Sequence, residues 1–258
     1  MILNYKNSAI HFTTTGEGDA LVLLHGFLET VEMWSAFVPE LAKNRQVICI
    51  DLLGHGKTDS LGYIHTMETM AEAVFAVLQH LNIERAKIVG HSMGGYVALA
   101  LAEAQPQLIE GLCLMNSTFE SDDEDRKILR AKAVETAKTN YENLVRMSFA
   151  NLFAPESRIT YKQDYEAALS IALNTPVQGY IAANQGMALR PDRLEVFKRI
   201  KGKALIITGE KDTLIDPKFI SEQIKNTSII HEKLSEGHMS HIENKSDLSY
   251  FLLRFSEK

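Results

Sequence analysis

The stretch AKIVGHSMGGYVALALAEAQ, residues 86–105, places one serine among three glycines directly after a short apolar run. Ile88 and Val89 favour an extended strand, whereas the alanine- and leucine-rich residues from Tyr96 onward suit a helix. Between them lies Gly90-His91-Ser92-Met93-Gly94-Gly95. Glycine gives up more backbone freedom on ordering than any other residue, so three around one hydroxyl point to a turn that side chains would block. A strand, a cramped G-x-S-x-G turn and a helix together form the context of a nucleophile elbow. The competing reading is a helix N-cap serine beside packing glycines.

Outward from this turn, strands are expected over 9–14, 20–25, 46–51, 86–89 and 111–115, short β-branched or leucine-rich runs bounded by Gly, Asp or Asn. A helix is expected over 66–81, where Met67, Met70, Val74, Val77, Leu78 and Leu81 share one face and Thr66 can cap the start. This alternation predicts a mostly parallel sheet with helices on both faces. It breaks after Asn116. Helical patterns follow over 128–139, 140–153, 161–173 and 176–189, before strands resume at KALIITG (203–209) and SIIHEKL (228–234) and a helix closes over 246–255. A helical insertion, 117–190, is therefore expected within a core formed by 1–116 and 191–258.

A serine hydroxyl attacks poorly until a base takes its proton, so a histidine and an orienting carboxylate are sought after Ser92 in the chain. Residues just past the carboxyl ends of parallel strands gather on one edge. Asp212, in GEKD after 203–209, and His238, in EGH after 228–234, meet that requirement. Glu210 and Asp216 compete with Asp212, but Asp216 precedes Pro217 and has the pattern of a helix N-cap. His241 lies one helical turn beyond His238 and reads as a helix-start or supporting residue; His-x-x-His without further ligands makes a poor metal site.

Charge developing on a carbonyl oxygen needs preorganised N–H donors. Met93, which follows the serine, supplies one; Phe27, after His25-Gly26 at the end of the 20–25 strand, supplies the second. His25 reads as a residue bracing that loop. The segment GHGKTD (54–59) resembles the end of a phosphate loop, but that pattern requires glycine at position 51, which is Asp51.

The bulk numbers agree with a globular enzyme. The chain has 258 residues, 45% apolar and 23% charged, and its formal charge of −6 disfavours a nucleic-acid partner. Cys49 and Cys113 sit inside apolar runs and read as buried strand residues. The opening MILNYKNSAIHF lacks the features of a secretory signal, and no apolar run approaches the ~20 residues of a membrane span. A cytoplasmic location without membrane association is expected; oligomeric state is left open.

The ordered segments HGF (25–27), DLLGHGKTD (51–59), GHSMGG (90–95), GEKD (209–212) and EGHM (236–239) resemble the α/β-hydrolase fold superfamily, and within it small cytoplasmic bacterial esterase-like members with a helical cap. The resemblance implies a mostly parallel eight-stranded sheet with the cap inserted after strand six. It further implies Ser92, Asp212 and His238 as catalytic residues and the Phe27 and Met93 N–H groups as the oxyanion hole. Epoxide hydrolases and haloalkane dehalogenases place Asp where Ser92 stands. In relatives whose acid follows the sixth strand, the corresponding position falls near Asn116, which carries no charge.

Hydrolysis of small to medium neutral carboxylic esters through an acyl-enzyme is expected, without metal or cofactor. In the insertion, Phe119, Tyr141, Met147, Phe149, Phe153, Tyr180 and Met187 are candidates for an acyl pocket, and Trp34 for its border. Two other readings stay open. One is a lyase or carbon–carbon hydrolase on an acidic metabolite, as in the menaquinone-pathway relatives, for which Arg126, Arg130, Arg146 and Arg158 are available and which Tyr96 after the glycine pair disfavours. The other is a small-molecule receptor that does not turn its ligand over.

Overall fold

Successive side chains of a strand point to opposite faces of its sheet, so a strand buried on both sides reads as an unbroken apolar run. The computed structural model of the protein, which describes residues 1–257, shows this arrangement in its central strands. Eight strands form one sheet: β1 (Ile2–Tyr5), β2 (Ser8–Thr15), β3 (Ala20–Leu24), β4 (Gln46–Ile50), β5 (Ala86–His91), β6 (Ile109–Met115), β7 (Lys203–Gly209) and β8 (Ile230–Leu234). Their order is β1-β2-β4-β3-β5-β6-β7-β8. All pairings from β4 to β8 are parallel; β2 runs antiparallel to β1 and to β4 at one edge.

Helices cover both faces. Val22, Ile48, Ile88, Leu112 and Ile206 meet α1 (Met67–His80) and α2 (Met93–Ala104), while Leu21, Leu23, Val47, Val89 and Leu205 meet Trp34, Phe37 and α6 (Lys245–Ser256). Thr66 caps α1 by accepting from the Thr69 N–H at 3.1 Å. Cys49 and Cys113 are free thiols buried in the second of these layers. Burial pushes the Cys49 thiol up to about 12, so it is an inert apolar group there.

Between β6 and β7 the described residues form helices and no strand: chiefly α3 (Glu124–Ala150), α4 (Lys162–Leu173) and α5 (Val177–Ala188). α3 is broken at Asn140, whose φ of −145° and ψ of 51° leave the helical region, at the boundary where the sequence pattern passes from one helical segment to the next. These helices enclose a third apolar cluster containing Val145, Phe149, Phe153, Ala172 and Tyr180, joined by Leu28 and Met239 from the core loops. α5 lies backbone-to-backbone on the loop before α1. The His65 N–H donates to the Ala182 carbonyl at 3.0 Å, and a Cβ at Gly186 would run into the His65 carbonyl oxygen.

Candidate active site

Ser92 directly follows β5 with φ 48° and ψ −115°, a left-handed conformation that is strained for a residue bearing a Cβ. The turn persists because its surroundings admit nothing larger. A Cβ on Gly94 would lie 2.5 Å from the Leu24 carbonyl oxygen and 2.6 Å from that of His25, both fixed in β3 and its exit. Gly94→Ala is therefore expected to lower stability by about 1–3 kcal/mol through overpacking against backbone, read as a fall in Tm on thermal unfolding.

The three residues sought from the sequence meet at the carboxyl edge of the sheet. The His238 Nε2 lies 2.9 Å from the Ser92 Oγ, and His238 Nδ1 lies 2.7 Å from Asp212 Oδ2. A carboxylate can only accept, so Nδ1 carries the proton and Nε2 is left free to accept from the hydroxyl. Asp212 also accepts from the Leu214 and Ile215 N–H groups at 2.8 and 3.1 Å and from Asn116 Nδ2 at 3.2 Å. Burial opposes its ionisation, but His238 and these donors outweigh burial and hold the carboxyl below the usual aspartate range.

The competitors lie elsewhere. Asp216 caps the helix Pro217–Gln223 by accepting from the Lys218 N–H at 2.8 Å, and Glu210 is exposed to solvent. Asn116, at the end of β6, steadies Asp212 and the Gly237 carbonyl rather than standing in for the acid. His25 braces its loop, accepting from the Leu52 N–H at 2.9 Å through Nε2. Asp51 organises the GHGKTD loop by accepting from the Val31 and Lys57 N–H groups, at 2.8 and 3.0 Å. Neither the Phe27 nor the Met93 N–H has a protein acceptor among the described hydrogen bonds, so both donors are free.

Behind the serine lies a buried pair absent from the expectations. Glu29 Oε2 lies 2.7 Å from His91 Nδ1 and accepts from the Gly26 N–H at 2.6 Å; His91 Nε2 lies 3.0 Å from the His238 carbonyl oxygen. Burial pulls His91 toward neutrality, yet the Glu29 carboxylate prevails and raises it above its ordinary value. Glu29 falls to about 2 despite its own burial, while burial drives neighbouring His241 down to about 4. The sequence signal was an ionisable pair, one in HGFLE and one beside the serine, in segments otherwise apolar or glycine-rich.

A cavity of about 350 Å³ opens onto Ser92 and His238, walled by Phe27, Leu28, Tyr96, Leu129, Phe149, Leu152, Tyr180, Met187, Leu214 and Met239. Of the eight residues expected there, Phe149, Tyr180 and Met187 line the cavity and five do not; Tyr141 packs in the helical layer, its hydroxyl donating to the Thr175 carbonyl at 2.6 Å. Trp34 is carried by the turn Val31–Trp34 to the far face of the sheet, where it packs against Phe37. Phe119 is buried beside Phe197 in the layer of α1 and α2. Met147 is 71% exposed, because two helical positions from Phe149 is nearly the opposite side of α3. Phe153 packs against Phe149 and Tyr165 inside the helical layer and does not line the cavity.

Two arginines complete the lining. Arg130 pairs with Asp122, which also holds the buried Arg190 at 2.7 Å, and Arg130 donates to the Asn184 side-chain oxygen at 3.3 Å. Arg126 donates to the Leu214 carbonyl at 3.1 Å and forms no ion pair among the described residues.

The backbone of the histidine loop is tied to the helical layer. The His238 N–H donates to the Leu152 carbonyl at 2.9 Å, and Glu243 accepts from the Ala154 N–H at 2.8 Å and the Met239 N–H at 3.0 Å.

Residues 19–245 match the family described as the alpha/beta hydrolase fold. The chain belongs to that family. Among relatives of this α/β-hydrolase, 3-oxoadipate enol-lactonase 1 of Acinetobacter baylyi is 30% identical over 94% of the chain and 91% of its own length. The dihydrolipoyllysine-residue acetyltransferase component of the acetoin cleaving system of Pseudomonas putida is 29% identical over 96% of the chain, which spans 66% of that protein. A thermophilic esterase from Thermogutta terrifontis superposes with a TM-score of 0.92 over 100% of the chain and 99% of its own, at 24% identity, a likeness of fold. No helix among the described residues of this α/β-hydrolase is long and apolar enough to cross a membrane.

Proposed function

We propose that the protein is a serine hydrolase that cleaves small to medium carboxylic esters through an acyl-enzyme on Ser92. The observation that carries this reading is the hydrogen-bonded series Ser92, His238 and Asp212 at the floor of a cavity of about 350 Å³. In the forward step His238 Nε2 takes the hydroxyl proton as Oγ adds to the ester carbonyl. The Phe27 and Met93 N–H groups receive the negative oxygen, and His238 returns the proton to the departing alcohol. Asp212 holds the imidazole tautomer and offsets the charge formed on the ring. Water then enters by the same route, giving the acid and free serine. Enol-lactonase and esterase relatives share this bond class, an acyl carbon bonded to oxygen.

The mainly aromatic and aliphatic wall favours a neutral acyl group, and the helical layer α3 to α5 serves as the cap that shapes it. A fluorophosphonate is expected to label Ser92, located by peptide mapping, and p-nitrophenyl butyrate to be turned over many times per site. A single equivalent of product would identify a binder instead, and labelling elsewhere would defeat the assignment.

Arg126, a cation at the same cavity without an ion-pair partner among the described residues, favours a second reading in which the substrate bears a carboxylate. Ethyl hexanoate against monoethyl adipate discriminates the two. Under the second reading Arg126→Ala raises KM about tenfold or more for the monoester alone, as loss of a charge-assisted hydrogen bond predicts.

A further inference from the structure

One oxygen atom, Glu29 Oε2, joins three segments that leave different strands. It holds the Gly26 N–H after β3 and the His91 ring at the end of β5, and through that ring it reaches the His238 carbonyl after β8. Gly26 directly precedes Phe27, and His91 directly precedes Ser92. The turn between Gly26 and Glu29 is strained: Leu28 stands at φ 66°, a region costly for a residue with a Cβ. Such a turn keeps its shape only where contacts over-determine it, and Glu29 bonding back to Gly26 is one such contact.

The His91 ring lies between a carboxylate oxygen and a carbonyl oxygen. Both only accept, so the ring satisfies both only when each nitrogen carries a proton, as an imidazolium. The carboxylate and the imidazolium are therefore a matched pair in a buried site, where removal of either leaves the other uncompensated. Other ionisable groups around the pair are His25 at the end of β3, Asp212 after β7, and His238 and His241 after β8.

We propose that Glu29, acting through His91, is a positioning residue that fixes the Phe27 N–H and the His238 imidazole relative to Ser92. This rests on the serine-hydrolase reading above. Both side chains lie beside the cavity, but neither is hydrogen-bonded to the Ser92 hydroxyl, whose partner among the described residues is His238; the pair sets where the donor and the base stand when charge develops. Misplacing either affects the transition state more than the ground-state complex, so the loss falls on kcat rather than KM.

The test compares the parent protein with Glu29→Ala and Glu29→Gln, using p-nitrophenyl butyrate, with active sites counted by fluorophosphonate labelling carried to completion and Tm measured on each. Glu29→Ala is expected to lower kcat per labelled site by about 30- to 300-fold with KM changed less than about threefold, the scale of a misplaced oxyanion donor. Glu29→Gln restores an acceptor but no charge. Without the carboxylate, burial holds the ring neutral, and the amide can donate to Nδ1 while Nε2–H keeps the His238 carbonyl, so about tenfold is expected to be recovered at pH 6 and pH 8.5 alike. A kcat per labelled site within about threefold of the parent in Glu29→Ala overturns the proposal, whatever its Tm. If that variant does not fold, Glu29→Gln decides: parent-like kcat at both pH values overturns the proposal, and a loss of about 3- to 30-fold in kcat per labelled site with KM little changed supports it. A parent protein neither labelled nor active on the ester overturns the serine reading and this proposal together, whereas a labelled, active parent isolates the question to Glu29.

Discussion

Ser92→Ala is expected to lower kcat on p-nitrophenyl butyrate by at least about 10³-fold while leaving Tm near that of the parent, because the nucleophile is lost but the Cβ that occupies the strained turn is kept. Among the described residues the hydroxyl's side-chain partner is His238 alone, so little else is disturbed. His238→Ala is expected to match that loss of rate but not that stability. It strips the buried Asp212 of its shortest bond and leaves the carboxylate held by Asn116, Leu214 and Ile215. Equal kinetics with unequal melting would separate the two roles. Substantial activity in Ser92→Ala, with active-site labelling retained, would move the chemistry to another residue.

Asp212→Asn is expected to cost about 10³–10⁴-fold in kcat, because an amide facing Nδ1 can donate a proton there and favour the tautomer whose Nε2–H no longer accepts from Ser92. The same change at Asp216 leaves kcat within about threefold, since asparagine caps a helix nearly as well as aspartate. Steady-state rates on the two variants settle the assignment, and an inverted result would make Asp216 the acid. The lowered pKa of Asp212 adds an acid-side signature. Its ionised form is favoured by folding, so its contribution to stability is present above the ordinary aspartate range and is lost as pH falls through the depressed value. Asp212→Asn removes that part of the acid dependence.

Much of this architecture was legible because the central strands announce themselves. Runs such as ALVLL and QVICI are buried on both faces, and the strand-helix rhythm with Gly, Asp and Asn at its breaks leaves few alternatives. β1 did not stand out from the residues, since Ile2–Tyr5 is a half-exposed edge strand of four residues whose pairing with β2 decides its state. The meeting of Ser92, Asp212 and His238 was readable because each follows a strand, and strand ends converge by topology rather than by side-chain detail. Pocket walls are another matter. Trp34, Phe119, Met147 and Phe153 are apolar like Phe149 and Met187, and only the docking of each helix decides which of them face the cavity. Glu29 and His91 escaped notice for a related reason: each is explicable only by the other, and 62 residues separate them.

The hydrogen bonds that Leu152 and Ala154 exchange with His238 and Glu243 bear on how the cavity can breathe. The chain leaving α3 is clamped to the very loop that carries His238, so lifting it would part that ring from Ser92 at the moment a guest arrives. The first half of α3, before the backbone break at Asn140, is held differently, by side chains: Arg126 on the Leu214 carbonyl and Arg130 on Asp122. Traffic through the cavity is thereby compatible with an intact Ser92–His238 contact only if the rim at 152–154 stays seated.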